Sequence, residues 1–192
     1  MVVLLFWIFQ ASVLLWLLAE VVLQTLQYRR GGHARTTEWR SLGMIVICIF
    51  AGNVLARLTV GYARPLALHI PLVVVFLVAI PILWLGVGFR LWAMRTLGRF
   101  FRGVVHVQHD HQVVRHGPYR LIRHPSYTGV LVAILGISLL FNNILAMILF
   151  VGCTFAGILY RIRVEERVLT QSLGVEYTDY SASTARLVPG VW

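Results

Sequence analysis

Apolar blocks long enough to cross a bilayer, separated by short basic loops, constrain this chain more than anything else in it. A helix spans the ~30 Å hydrocarbon layer with about 20 residues. Apolar blocks are read at Met1–Gln27, Ser41–Leu58, Ile70–Trp92, Thr128–Phe141 and Ile144–Tyr160. The first lacks a basic start and a small-residue cleavage site, so it reads as a retained transmembrane helix, not a signal peptide. Asn53 and Arg57 interrupt the second; Pro71 opens the third, and Pro81 inside it predicts a kink. The last two are short and meet at Asn142-Asn143, a turn dipeptide, which predicts a tight antiparallel pair. With 59% hydrophobic and 12% charged residues among 192, the chain has too little charge to cover a soluble domain. The expectation is an all-α integral membrane protein of one domain with about five transmembrane helices. Its parts are spans one to three (1–95), a polar segment (96–127), a helical hairpin (128–160) and a polar tail (161–192).

The formal net charge of +10 invites a nucleic-acid reading. The basic residues, mostly Arg, lie between apolar blocks, however, without the aromatic platforms or basic helix of such binders. Topology explains them better, and membrane lipids are the partners it implies. Arg29, Arg30, Arg35 and Arg40 form one group, Arg95, Arg99, Arg102, Arg115, Arg120 and Arg123 a second, and Arg161, Arg163 and Arg167 a third. Five spans put all three on one side. By the positive-inside rule that side is cytosolic, so the N-terminus lies outside and the C-terminus inside. Glu20 is costly in a span unless it meets a partner or an interface; Tyr28, Arg29 and Arg30 follow at once, which favours the interface. Cys48 and Cys153 sit in apolar runs and read as small hydrophobes, not a disulfide framework.

One polar stretch stands out, HDHQVVRHGPYRLIRHPSYTG from His109 to Gly129. Pro118 and Pro125 disfavour helix in the residues before them, so Gly117 and His124 are expected in extended or turn conformations. Gly103–Val114 alternates weakly, as a short hairpin turning at His109-Asp110 would. Such a rigid, basic, His- and Tyr-bearing segment at a membrane surface is either a juxtamembrane anchor or a site. His106, His109, Asp110 and His111 have the chemistry of metal ligands, but their spacing is weak evidence for a metal. In the tail, helical character runs from Arg161 to a stop at Gly174. Arg161 and Glu165 share one face of that helix, either as an ordinary i,i+4 pair or as two ligand-binding groups. Arg163 points elsewhere. Tyr119 and Tyr127 fit an interfacial aromatic belt or a pocket wall. Gly86 and Gly88 form no dinucleotide fingerprint, because they lie inside an apolar block and not after a strand.

GPYRLIRHPSYTG (Gly117–Gly129), followed by RIRVEERVLTQSLGVEYTDY (Arg161–Tyr180) and RLVPGVW (Arg186–Trp192), resembles the isoprenylcysteine carboxyl methyltransferase family, in the manner of its short prokaryotic members. The likeness runs from about Gln108 to the C-terminus; the first half is similar only as a set of apolar spans. Phospholipid methyltransferases and sterol reductases of membranes carry blocks like RHPSY. Its combination with Arg161-x-x-x-Glu165-Glu166 and Gly174-x-Glu176-Tyr177 is far more specific. The resemblance implies a membrane methyltransferase that uses S-adenosylmethionine, releases S-adenosylhomocysteine and needs no metal. It implies cofactor positions at Gln108, His111, Gln112, Val113, Val114, Tyr119, His124, Pro125, Ser126, Tyr127 and Glu165. Arg161 matches a substrate-binding arginine and, with Glu165, is the expected catalytic pair.

Elementary chemistry asks for the same residue types. A sulfonium cation joined to an amino acid and an adenine needs a carboxylate or π-face, polar groups and apolar walls with backbone amides. A carboxylate acceptor needs a cation, best an Arg with its fork of donors. A lipophilic acceptor would enter sideways from the bilayer. The resemblance implies a prenylated cysteine as acceptor; a phospholipid amine, an isoprenoid acid or a thiol are alternatives, and an NADPH-dependent membrane reductase or a non-enzymatic scaffold are others.

Overall fold

Small residues decide which helices of this chain touch. The structure, a computed structural model, describes residues 1–30, 39–98 and 113–190. Within them lie α1 (Val2–Arg30), α2 (Trp39–Tyr62), α3 (Leu72–Leu97), α4 (Pro125–Ser138), α5 (Ile144–Leu173) and the short α6 (Val175–Ser183). Four of these, α1, α2, α3 and α5, are long and apolar enough to cross a membrane, and α4 with its closing 3-10 turn forms a shorter apolar helix, Pro125–Phe141. The chain is an all-α integral membrane protein. A Cβ on Gly86 of α3 would lie 2.3 Å from the backbone N of Ala133 in α4, and one on Gly129 of α4 would lie 2.7 Å from that of Arg90 in α3. Between α2 and α5, Gly52 faces Cys153 and Gly157 faces Cys48 in the same way. In lipid, where apolar side chains gain little by leaving their surroundings, such close backbone packing is what holds helices together. Both cysteines are free and serve as small packing residues at this seam.

Pairs of contacts give the helix directions. Phe9 meets Phe76, Trp84 Nε1 donates to Ser12 Oγ at 3.1 Å, and Glu20 pairs with Arg90, so α1 and α3 run parallel. Contacts of Gly86 with Gly129 and of Leu83 with Gly136 make α3 and α4 antiparallel. Arg161 of α5 reaches Ser41 of α2, and Gly157 meets Cys48, so α2 and α5 are antiparallel too. The helices therefore alternate in direction along the chain. One end of the bundle holds the α2–α3 and α4–α5 connections. There Asn143 caps α5 by accepting from the Ala146 amide at 3.1 Å and donates to the Ala63 carbonyl at 2.8 Å. Asn142, in the left-handed region at φ 49°, donates to the Ile70 carbonyl at 2.9 Å. The opposite end carries every polar cluster described below.

The short α4 sits in the middle. Ala133 belongs to a core with Phe9, Trp16, Phe76, Ala79, Leu83 and Val87, and Ile134 to a second with Ala56, Ala146 and Phe150. Large apolar side chains on the outer faces, such as Leu14, Phe50, Leu77, Leu85 and Ile148, are exposed, as lipid contact requires.

Two helix boundaries next to the polar end differ from the sequence expectation. α4 starts at Pro125, not Thr128, because the missing proline N–H costs nothing in the first helical turn. α3 spans Leu72–Leu97 as one helix with Pro81 inside it. α5 does not end with its apolar part at Tyr160; it runs on through Arg161 and Glu165 to Leu173 and stops where Gly174 takes φ +57°. At 1.5 Å per residue its 30 residues reach about 45 Å, well past a ~30 Å hydrocarbon layer.

Candidate functional site

Gly117 begins the polar end. Its φ of +59° favours glycine, and an added Cβ would sit 2.9 Å from Thr96 Cγ2 at the foot of α3. The chain then makes a 3-10 turn over Gly117–Arg120 and crosses to Pro125. The C-terminal tail is laced onto this crossing. The Arg123 amide donates to the Ala185 carbonyl at 2.8 Å, Ala185 N to Leu121 O at 3.1 Å, and His124 N to Arg186 O at 3.0 Å. Thr128 Oγ1 adds a bond to the Leu187 carbonyl at 2.8 Å. Two pieces of chain some sixty residues apart thus form one surface.

Two adjacent carboxylates of α5 lie on it. Glu166 Oε1 accepts from Arg123 Nε at 3.0 Å and lies 3.3 Å from His124 Nε2; Arg186 Nε donates to Glu166 Oε2 at 3.0 Å. Arg123 also donates to the carbonyls of Ser181, at 2.6 Å, and Thr184. Glu165 is held differently. Tyr127 donates its hydroxyl proton to Glu165 Oε2 at 2.8 Å and accepts from Arg161 Nε at 3.1 Å. Arg161, only 2% exposed, donates in addition to Ser41 Oγ. Arg161 and Glu165 are therefore joined through a phenol contributed by α4.

A separate ion pair, between α1 and α3, supports the turn. Arg90 of α3 grips both oxygens of Glu20 and donates to Ser126 Oγ at 2.5 Å, while Trp16 Nε1 donates to Glu20 at 3.3 Å. Glu20 thus has a partner within the bundle in Arg90. A bidentate pair of this kind offsets much of the cost of removing both charges from water.

On the other side α6 closes over the central segment. Glu176 accepts from the Val113 amide at 3.3 Å, and Arg115 donates to the Glu176 carbonyl at 3.1 Å with its guanidinium 5.7 Å from the Tyr180 ring centre. Tyr180 donates to the Tyr119 carbonyl at 2.8 Å. Burial pushes the Tyr119 phenol above its ordinary value, with the Glu165 carboxylate adding to it, and burial pushes Tyr180 up to about 12. These phenols stay neutral and are available as hydrogen-bonding groups.

Among the sequence candidates, Tyr119, Tyr127, Glu165 and Arg161 come together. Ser126 binds Arg90, the His124 ring is turned to Glu166, Pro125 is fully buried as the first residue of α4, and Val113 and Val114 lie beside α6. Arg163 is exposed, as expected of it. Gln108, His111 and Gln112 lie outside the described residues, as do His106, His109, Asp110 and nearly all of the expected hairpin. Glu20, Arg90 and Ser41 were missed. Charges of opposite sign inside two apolar blocks were a usable signal for the first two; nothing in the sequence marked Ser41.

Comparison with known proteins follows the same outline. The model of the isoprenylcysteine carboxyl methyltransferase (ICMT) family matches residues 75–171, from α3 through nearly all of α5. The chain is 37% identical over 101 residues to protein-S-isoprenylcysteine O-methyltransferase A of Arabidopsis thaliana, covering 52% of this chain and 51% of that protein. It is 35% identical over 107 residues to protein-S-isoprenylcysteine O-methyltransferase of Saccharomyces cerevisiae, covering 55% and 45%. An uncharacterized protein of Bacillus subtilis, YpbQ, is 31% identical over 96 residues, covering 46% of this chain and 57% of its own. The chain spans about half the length of the curated relatives it matches.

Proposed function

The chain belongs to the isoprenylcysteine carboxyl methyltransferase family, and from that premise we propose that it methylates a carboxylate on a lipophilic, isoprenylcysteine-type acceptor with S-adenosylmethionine as donor. One observation carries the reading: the Tyr127 hydroxyl joins Arg161, a buried cation at the end of the apolar part of α5, to Glu165, a carboxylate one turn further out.

The residues present suit the donor. Glu165 offers an anion for its ammonium group, and Tyr119, Tyr127 and Tyr180 offer π-faces and hydroxyls near a sulfonium. The Val113 amide donates to Glu176, which brings Val113, a cofactor position by the resemblance, against α6. Bound S-adenosylmethionine supplies an already activated methyl group. An acceptor carboxylate is already an anion at neutral pH, so the chain's residues act by binding, orientation and exclusion of water. Arg161 takes the carboxylate with its guanidinium. Tyr127 fixes the spacing between that cation and Glu165. Arg90, through Ser126, holds the start of α4 in place beneath them.

The acceptor's apolar part remains in the bilayer and only its head enters. Among the described residues, Arg40, Arg95, Arg115, Arg120, Arg123, Arg161, Arg163 and Arg167 fall at the bundle end opposite Asn142 and Asn143, and by the positive-inside rule this supports a site on the cytosolic face. Calorimetry of detergent-solubilised protein tests the proposal. S-adenosylhomocysteine is expected to bind and NADPH not to; binding of NADPH alone would favour a reductase, and binding of neither a scaffold.

A further inference from the structure

Gly157 of α5 and Ile45 of α2 meet so closely that a Cβ on the glycine would lie 3.2 Å from the Ile45 Cα and 2.9 Å from Cys48 Cβ. One helical turn nearer the polar end, the same antiparallel pairing sets Ser41, four residues before Ile45, against Arg161, four residues after Gly157. Both are buried, Ser41 completely and Arg161 at 2% exposed. Arg161 Nη1 donates to Ser41 Oγ, while its Nε donates to the Tyr127 hydroxyl at 3.1 Å. The guanidinium is thus held from two helices, α2 and α4, at two different nitrogens. A planar fork held at two corners has its plane and direction fixed, where a single bond would leave it free to turn. Ser41 lies outside residues 75–171, which carry the family match, so α2 brings to this cluster a group that the family likeness does not.

We infer that Ser41 is a positioning residue for the acceptor: its oxygen, bonded to Nη1, aims the Arg161 guanidinium so that the carboxylate it takes lies in line with the donated methyl. Resting on the function proposed above, this assigns part of the acceptor's recognition to α2. The serine oxygen is a neutral acceptor, so it directs the cation without cancelling its charge, as a carboxylate in the same place would. Burial gives the bond its weight. A guanidinium removed from water keeps its direction only through the protein groups that accept from it.

The experiment measures methyl transfer from S-adenosylmethionine to N-acetyl-S-farnesylcysteine by wild type and Ser41→Ala in detergent. Removing the oxygen is expected to raise KM for the acceptor about tenfold, while S-adenosylhomocysteine affinity by calorimetry stays within about twofold of wild type. In the Arg161→Ala background, where no guanidinium remains to be aimed, Ser41→Ala is expected to change kcat/KM by less than about twofold. A loss confined to kcat, as a smaller folded fraction would give, overturns the inference. So does an unchanged acceptor KM, a weakened S-adenosylhomocysteine, or the same loss in both backgrounds. Should Ser41→Ala not fold, Ser41→Cys keeps the volume with a weakly accepting sulfur and carries the same comparison. Each of these outcomes leaves the proposed reaction standing as long as wild type transfers methyl and Arg161→Ala is impaired. Wild-type protein that methylates no prenylated cysteine overturns the reaction, and this inference with it.

Discussion

Glu166 receives Arg123, His124 and Arg186 at once, whereas Glu165, one residue earlier on the same helix, meets among the described residues a single phenol that is itself bonded to Arg161. Successive positions on a helix point about 100° apart, so the two carboxylates look into different surroundings. Glu166 faces the crossing and the tail, and its charge is answered by three groups from those two places in the chain. Glu165 faces α4 and the phenols of the central segment. A carboxylate saturated with donors joins parts of a fold; one that meets a neutral phenol is suited to an incoming cation. The difference separates what holds this end of the molecule together from what it is proposed to bind.

Removing the first carboxylate is expected to have the largest effect. Glu166→Ala leaves Arg123, Arg186 and His124 facing one another without their anion, and breaking a largely buried ion pair from one side costs about 3–5 kcal/mol. The tail from Thr184 onward should detach from the crossing. Thermal unfolding in detergent and limited proteolysis near Thr184 would register both. An unaltered unfolding temperature would deny Glu166 its role as a joint.

Arg161→Ala attacks the other cluster. Loss of a charge-assisted contact to an acceptor carboxylate predicts a fall in kcat/KM of about a hundredfold. S-adenosylhomocysteine binding should change only a few-fold, because Tyr127 still reaches Glu165. Arg161→Lys restores charge without the planar fork and should recover part of the activity. Methyl transfer to a prenylated cysteine measures this, and activity that survives Arg161→Ala unchanged would point to an amine or thiol acceptor.

Much of this division could be read in advance, and the part that could not has a physical cause. Helix count follows from hydrophobic length, which backbone satisfaction in lipid enforces almost without regard to context. The meeting of Tyr127, Arg161 and Glu165 followed from motif resemblance and i,i+4 spacing. What stayed hidden were tertiary pairings: Glu20 with Arg90, seventy residues apart, and Arg161 with Ser41, one hundred and twenty apart. No local pattern encodes those partners, because they depend on which small residues let which helices approach. The choice of Gly86, Gly129 and Gly157 as contact points is visible only once the backbones are seen 3 Å from an imagined Cβ.

His124 tests the comparison at its border, with the smallest expected effect. The family likeness makes it a cofactor position, yet its Nε2 lies 3.3 Å from Glu166 and its ring is tilted against Tyr127 with centres 5.8 Å apart. Arg123 and Arg186 remain on Glu166 when the imidazole is removed, so its contribution to the joint is about 1 kcal/mol, that of a single hydrogen bond. His124→Phe keeps the ring contact and deletes the bond. The expected outcome is a modest drop in unfolding temperature, with S-adenosylhomocysteine affinity within about twofold of wild type. A tenfold loss of affinity at unchanged stability would move His124 from the joint to the ligand, and the line between the two carboxylates would then run through this imidazole.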